Sequence, residues 1–229
     1  MIVALFLGCA AIDPPPPPST AGRPVGASRC PEVVGPPDQA AFGPTWPGVS
    51  EADAVWVLTM ADGAAFEVPV VHYPLRAQAW PDIVRFVNCN DAEAYTHRRS
   101  RMSVTKQRHD GACRLLEADL QWEILVSLPR WVDRRRAGAD DRVKWDAWIA
   151  ATSRHEEGHA RIAIAAYRAH AARLSASTCD RVDEEFSALA QEHDALQLRY
   201  DACTCTGGCQ DRCADPEVVQ SAAGVVVGG

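Results

Sequence analysis

Between Leu116 and Leu128 the chain alternates with a period of two. Leu116, Ala118, Leu120, Trp122, Ile124, Val126 and Leu128 are apolar, whereas Glu117, Asp119, Gln121, Glu123 and Ser127 between them are polar. Successive strand side chains point to opposite faces, so the run predicts a β-strand with one dry face and one wet face. Pro129 is expected to break its ladder. A sheet with a dry face needs a covering layer, and the sequence supplies one at once. From about Asp141, Trp145, Trp148, Ile149, Thr152, Glu156, His159, Ile162, Ala163 and Ala166 recur at helical spacing, with Asp140 or Asp141 placed to cap the start. A second helical stripe follows in Val182, Phe186, Leu189, His193, Leu196 and Tyr200. The break from Leu174 to Cys179 is short, which predicts an antiparallel helix pair. Shorter strand-like runs are Val55 to Leu58, leading to a turn at Asp62-Gly63, then Phe66 to Val71 and Ile83 to Val87. The expected fold is α+β, a small and mainly antiparallel sheet packed on a long helix and a second antiparallel helix.

The ends have a different character. Met1 to Leu7 is apolar and runs into Gly8-Cys9. It is far short of the roughly 20 residues that span a bilayer, and it resembles the end of a lipoprotein export signal in which Cys9 is lipidated. Eleven of the sixteen prolines precede Val49, five of them consecutive from Pro14 to Pro18, so residues 10–49 read as an extended tether that buries no core. Besides Cys9 there are eight cysteines: Cys30, Cys89, Cys113, Cys179, Cys203, Cys205, Cys209 and Cys213. That even number suits an oxidising compartment. Cys203 and Cys205 are too close to pair comfortably, so partners such as Cys179 or Cys209 are expected; a four-thiolate zinc site over Cys203 to Cys213 is the alternative. A net charge of −7, with Arg134-Arg135-Arg136 as the basic run, argues against nucleic acid as a partner.

The chemistry concentrates in His155-Glu156-Glu157-Gly158-His159. Helical residues four apart stack one turn above each other, so the two imidazoles face one way and can share a Zn2+ ion. Glu156 lies beside them, where a carboxylate can take a proton from a zinc-activated water. Gly158 costs a helix interior about 1 kcal/mol relative to alanine, which implies a close approach to the backbone at that point. Trp122, Trp131, Trp145 and Trp148 read as core anchors.

These motifs carry a resemblance. Gly111-Ala112-Cys113, Leu128-Pro129-Arg130-Trp131, the Trp-containing helix entry, His-Glu-Glu-Gly-His and Tyr200-Asp201-x-x-Thr204 resemble, over about Ile83 to Gly207, a bacterial domain of unknown function described as a predicted secreted zinc-dependent protease. The resemblance implies a zincin-like domain over residues 50–213, followed by a flexible tail at 214–229. In that family the last element continues as Thr-x-His-Gly. Here the histidine's place is taken by Thr206, so the third metal ligand must be sought elsewhere.

The metzincin pattern fails, because it would need glycine at Ile162 and histidine at Ala165. Asp201, Glu185 and His193 remain. Glu185 belongs to an acidic first turn that complements the helix dipole, and His193 lies on the apolar stripe. His170 is expected beyond reach and solvated. From His159 to the turn near Leu174 is about 22 Å at about 1.5 Å per residue, and the same distance back from Asp180 reaches about Ala195. Residues His193 to Asp201 are therefore favoured over Glu185, and the resemblance, through the element at Tyr200-Asp201, makes Asp201 the preferred one. The function implied is a zinc-dependent metallopeptidase acting on protein or peptide outside the cytoplasm or in the cell envelope, either tethered to the membrane through Cys9 or, if an ordinary signal peptide removes Cys9, secreted or periplasmic. In it Glu156 is the general base and Tyr200 polarises the substrate carbonyl, and the Leu116 to Leu128 strand receives the peptide by edge pairing. The alternatives are an inactive envelope scaffold and a cell-wall peptide amidase.

Overall fold

The computed structural model describes residues 54–90, 94–110 and 112–204. Cys9, the proline-rich tether, Thr206, the cysteines Cys205, Cys209 and Cys213 and the 214–229 tail lie outside the described residues. Those described form an α+β fold with a four-stranded sheet in the order β1-β2-β4-β3 and three α-helices. β1 (Ala54–Thr59) pairs antiparallel with β2 (Ala65–Leu75). The turn between them uses Gly63 at φ 82°, a conformation open to glycine, as the Asp62-Gly63 signal predicts. β3 (Tyr95–His109) pairs antiparallel with β4 (Ala112–Trp131), and Asp110 turns the chain between them. β2 and β4 are parallel, so two of the three pairings are antiparallel.

The alternating strand is present, but with two corrections. A register shift at Thr105/Lys106 sets Thr105 opposite Glu117 and Lys106 opposite Leu115, which leaves Leu116 as an extra residue. An extra residue reverses the parity of everything beyond it. Leu116 is accordingly 51% exposed, while Leu115 joins the apolar cluster beneath the sheet. Pro129 does not end the strand. Pairing with β3 stops at Tyr95 and Ser127, but pairing with β2 continues through Tyr73 opposite Pro129 to Leu75 opposite Trp131. Proline removes one N–H, which ends pairing on one side only.

The run Ile83 to Val87, expected as a strand, is part of helix α1 (Trp80–Asn90). Ile83, Phe86 and Val87 fall at i, i+3 and i+4 and pack as one apolar face, and Pro81 and Asp82 occupy the first turn, where both residue types favour helix. Helix α2 (Ala139–Ser175) runs 37 residues, and its N-cap is Gly138 rather than an aspartate. Asp140 and Asp141 lie inside the first turn, where they complement the dipole without capping it.

α2 is the central layer. Ala160, Ala163, Ile164 and Tyr167 pack against Val68, Val70, Ile124, Val126 and Leu128 of the sheet. Its other side, through Ile162 and Ala166, meets Leu196 and Tyr200 of α3 (Val182–Thr204). Trp131 and Trp145 are buried in a second cluster with α1, where the Trp131 Nε1–H donates to the Ala77 carbonyl at 2.7 Å. The far half of the β3–β4 hairpin covers the α2–α3 turn through Leu115, Ala118 and Leu120 against Leu174, Val182 and Leu189. There Cys179 is disulfide-bonded to Cys113, not to Cys203 or Cys205. Cys203 is itself disulfide-bonded, which removes one thiolate from the alternative zinc cluster.

The Cys113–Cys179 bridge closes a loop of 66 residues. Chain-entropy arguments give such a loop about 4 kcal/mol. The Cys113→Ser/Cys179→Ser variant is expected to lose about that much in urea denaturation, with the midpoint as readout. An unchanged midpoint would mean the bridge constrains nothing that the hairpin packing does not already hold.

Candidate metal centre

One helical turn on α2 brings His155 and His159 together, with their Nε2 atoms 3.0 Å apart. α3 runs antiparallel beside them and delivers Asp201. Its Oδ1 lies 3.2 Å from His155 Nε2 and 2.9 Å from His159 Nε2. These three atoms form a nearly equilateral triangle. A tetrahedral zinc site with bonds of about 2.0–2.2 Å has ligand–ligand edges of about 3.3–3.5 Å, so the donor set fits zinc after outward movements of a few tenths of an ångström. Among the described residues the same three side chains form a group able to hold a metal ion. The other such group, Cys113, Cys179 and Asp180, has both its sulfurs in a disulfide.

The neighbours fix which nitrogens are bare. The Thr204 hydroxyl donates to the Tyr200 carbonyl at 2.8 Å and lies 3.1 Å from His155 Nδ1. With its one proton spent on that carbonyl, it accepts from Nδ1–H, so the His155 lone pair is on Nε2. Gln197 Oε1 accepts from His159 Nδ1–H, while the Gln197 amide faces the His159 carbonyl and His193 Nε2. Hydrogen bonds at the remote nitrogen orient metal-binding imidazoles. Burial, with the neighbouring His159 charge, lowers the His155 pKa to about 4 against the opposing pull of Asp201. Burial also disfavours charged His159, but Asp201, Glu156 and Gln197 outweigh it and raise its pKa. Burial would likewise raise Asp201, yet its bond to His159 and the charges of both imidazoles hold it low. Asp201 is thus an anion, and His155 is neutral and ready to donate its lone pair at pH 7. A proton shared between His159 and Asp201 is what a cation would displace.

The close approach implied by Gly158 is made by Tyr200. A Cβ added at Gly158 would lie 1.9 Å from the Tyr200 hydroxyl oxygen. The Tyr200 ring stacks on His155 at 5.2 Å and meets His159 edge-on at 4.9 Å, and it is 2% exposed. The structure therefore places Tyr200 beneath the histidines with its hydroxyl against the helix backbone at Gly158, and it is not among the residues that line the cleft described below. Glu156 is 5% exposed, and its Oε2 accepts from the Thr96 hydroxyl at 2.7 Å. Both residues line a cleft of about 840 Å³ that also contains His155, His159, Asp201 and Arg98.

Residues 70–208, more than half of the chain, match a family described as bacterial protein of unknown function (DUF922). The chain belongs to the DUF922 family. No curated protein and no solved structure matches it.

In this DUF922 chain the other sequence candidates go elsewhere. Glu185 lies 3.7 Å from Arg173 near the far end of α2. His193 is buried one turn below Gln197. His170, expected in solvent, is 6% exposed beside Tyr167 and His193, because α3 and the β3–β4 hairpin both close over that side of α2. Sequence reasoning did not single out Gln197 as a supporting residue. It lies four residues before Asp201 on one face of α3, and that spacing was the available signal. Nothing local marks Thr96.

Two outcomes follow. Asp201→Ala is expected to weaken zinc binding at least a hundredfold in competition with a chelator, while Glu185→Ala leaves it unchanged. Equal affinities for the two variants would remove Asp201 from the site. Gly158→Ala, which in an exposed helix adds about 1 kcal/mol, is expected here to lose about 1–3 kcal/mol by overpacking. A rise in the urea midpoint would show that Tyr200 moves aside without cost.

Proposed function

We propose that this chain is a zinc-dependent peptidase of zincin-like type acting outside the cytoplasm. The observation that carries the proposal is the convergence of His155 Nε2, His159 Nε2 and Asp201 Oδ1 within 3.2 Å of one another on the wall of a cleft shared with Glu156. Bound zinc supplies a Lewis acid that polarises a carbonyl and lowers the pKa of water to about 7. His155, His159 and Asp201 would hold it, two of them by neutral nitrogen and one by an anionic oxygen.

Glu156 takes the proton from the attacking water and later gives it to the leaving amine. Thr96 holds one carboxylate oxygen and so fixes the side chain beside the site. Substrate lies along β3. The sheet order makes β3 an edge strand among the described residues, and its Thr96 and Arg98 line the cleft. β4, expected from sequence to receive the peptide, pairs with β3 up to Ser127 and with β2 only from Val126 to Trp131, and the strand that lines the cleft is β3. An extended peptide that adds to β3 would present its carbonyls toward the histidines. The Cys113–Cys179 disulfide supports an oxidising location. No helix among the described residues is long and apolar enough to cross a membrane, and attachment through a lipid at Cys9 stays part of the proposal.

Glu156→Gln is expected to cut peptide hydrolysis by about 10²–10⁴-fold while one zinc per chain remains bound. Metal content and cleavage are measured on the same preparation. Undiminished hydrolysis would sink the mechanism, and loss of zinc would make Glu156 a ligand.

A further inference from the structure

A second cavity of about 250 Å³ adjoins the cleft, and Arg98 and Asp194 line both. We infer that this side pocket is the specificity pocket of the enzyme and takes an aromatic side chain, tyrosine above phenylalanine, from a peptide lying in the cleft. The inference rests on the peptidase reading and names its substrate class.

Volume decides the kind of occupant first. Pockets for drug-sized ligands run from about 300 to 1,000 Å³, so this cavity holds less than a cofactor and about one large side chain. Its position decides where the occupant comes from. The Arg98 guanidinium is hydrogen-bonded to Asp194 at the junction, so the pocket continues from the cleft and a chain seated on β3 can turn one side chain into it.

The walls decide the chemistry. Leu120, Phe186 and Leu189 make one side apolar. Tyr167, His170 and His193 make the other from three rings set edge to face, with centroids 4.9–6.3 Å apart. Such edges and faces receive a further ring in the arrangement aromatic groups prefer. The wall carries no net charge. Burial lowers His170 to about 4 and His193 to about 3, so both are neutral at pH 7, and Arg98 is neutralised by Asp194. An acidic or basic side chain therefore gains no partner there. One polar ring in the lining has no hydrogen-bond partner among the described residues. His170 is 6% exposed and forms no hydrogen bond among the described residues, in contrast to His193, which meets Gln197, and Tyr167, which bonds Ser100. A neutral imidazole both donates and accepts, which suits the phenol of a tyrosine and gives phenylalanine nothing.

The test uses Ala190, an exposed residue on the pocket rim that touches no ligand of the metal centre. Ala190→Trp closes the pocket from outside. Zinc-loaded wild type is incubated with a synthetic peptide library, and cleavage is expected to be enriched at least tenfold for tyrosine or phenylalanine at one position within two residues of the broken bond. Ala190→Trp is expected to lose that enrichment while cleaving glycine-containing peptides within twofold of wild type. His170→Phe is expected to keep the aromatic preference and lose that of tyrosine over phenylalanine. A parallel measurement needs no hydrolysis. Glu156→Gln, loaded with zinc, should bind a fluorescein-labelled tyrosine peptide at least tenfold more tightly than Glu156→Gln/Ala190→Trp does. Absent cleavage with that difference in binding would refute the peptidase reading and leave the pocket standing. Cleavage with the same residue preference in wild type and Ala190→Trp would overturn the pocket.

Discussion

The contact on which the site depends is that of the Tyr200 ring on the bare backbone of Gly158. It sets both the distance and the register of α3 against α2, since nothing larger than hydrogen fits between them. With Tyr200 fixed, helix periodicity does the rest. Gln197 stands one turn before it, Asp201 is its neighbour and Thr204 is one turn after it, and between them they reach all four nitrogens of the histidine pair. A shift of one residue along α3 rotates that face by about 100° and would remove all three partners together. The glycine is thus worth more than the helix propensity it sacrifices.

The same arrangement explains how so many polar groups tolerate burial. His155, Glu156, His193, Gln197 and Thr204 are all at most 5% exposed. Left unpaired, each would cost on the order of 1–3 kcal/mol. Instead they form a connected chain from Thr204 through His155, Asp201 and His159 to Gln197 and His193. The network is anchored on two rigid helices, and the sheet contributes Thr96 to Glu156 from the opposite side. Only the face toward the cleft is left for a metal and a substrate.

What could be read from sequence was whatever helix geometry alone controls. His155, Glu156 and His159 come together through a single turn, Gly158 announces a close neighbour, and the α3 stripe marks the buried face. Counting axial rise along two antiparallel helices narrowed the third ligand to the span His193 to Asp201, and the element at Tyr200-Asp201 that carries the resemblance singled out Asp201. Features that depend on a distant strand were not legible. Leu116 obeys the alternation of its own strand, and only the mismatch with Thr105 and Lys106 opposite turns it outward. Ile83 to Val87 is β-rich in composition, yet its i, i+3, i+4 spacing and the preceding proline favour helix once there is a tertiary face to bury. Pro129 was given too large an effect, since it lacks one donor and the parallel partner β2 lies on the other side. His170 looked remote because reach was measured along α2 alone, whereas the hairpin and α3 enclose it from across the chain.

The position at Thr206 bears on chemistry through charge. The resemblance implies an imidazole where this chain has the Thr206 hydroxyl, and that difference alone would suggest a site short of a ligand. Asp201, held anionic by the histidines it touches, would offer a cation an oxygen donor from a rigid helix instead. Two imidazoles and one carboxylate carry a net charge of −1, whereas a set of three imidazoles would carry none. The difference would favour retention of a divalent cation and moderate its pull on a bound carbonyl. On the proposed reading such a centre would lean harder on the groups around it, on Glu156 to move the proton and on the cleft walls to hold the peptide in line. An inert scaffold is the reading that a missing third ligand would favour, and Asp201 lies within hydrogen-bond distance of both histidines, where such a ligand would be needed.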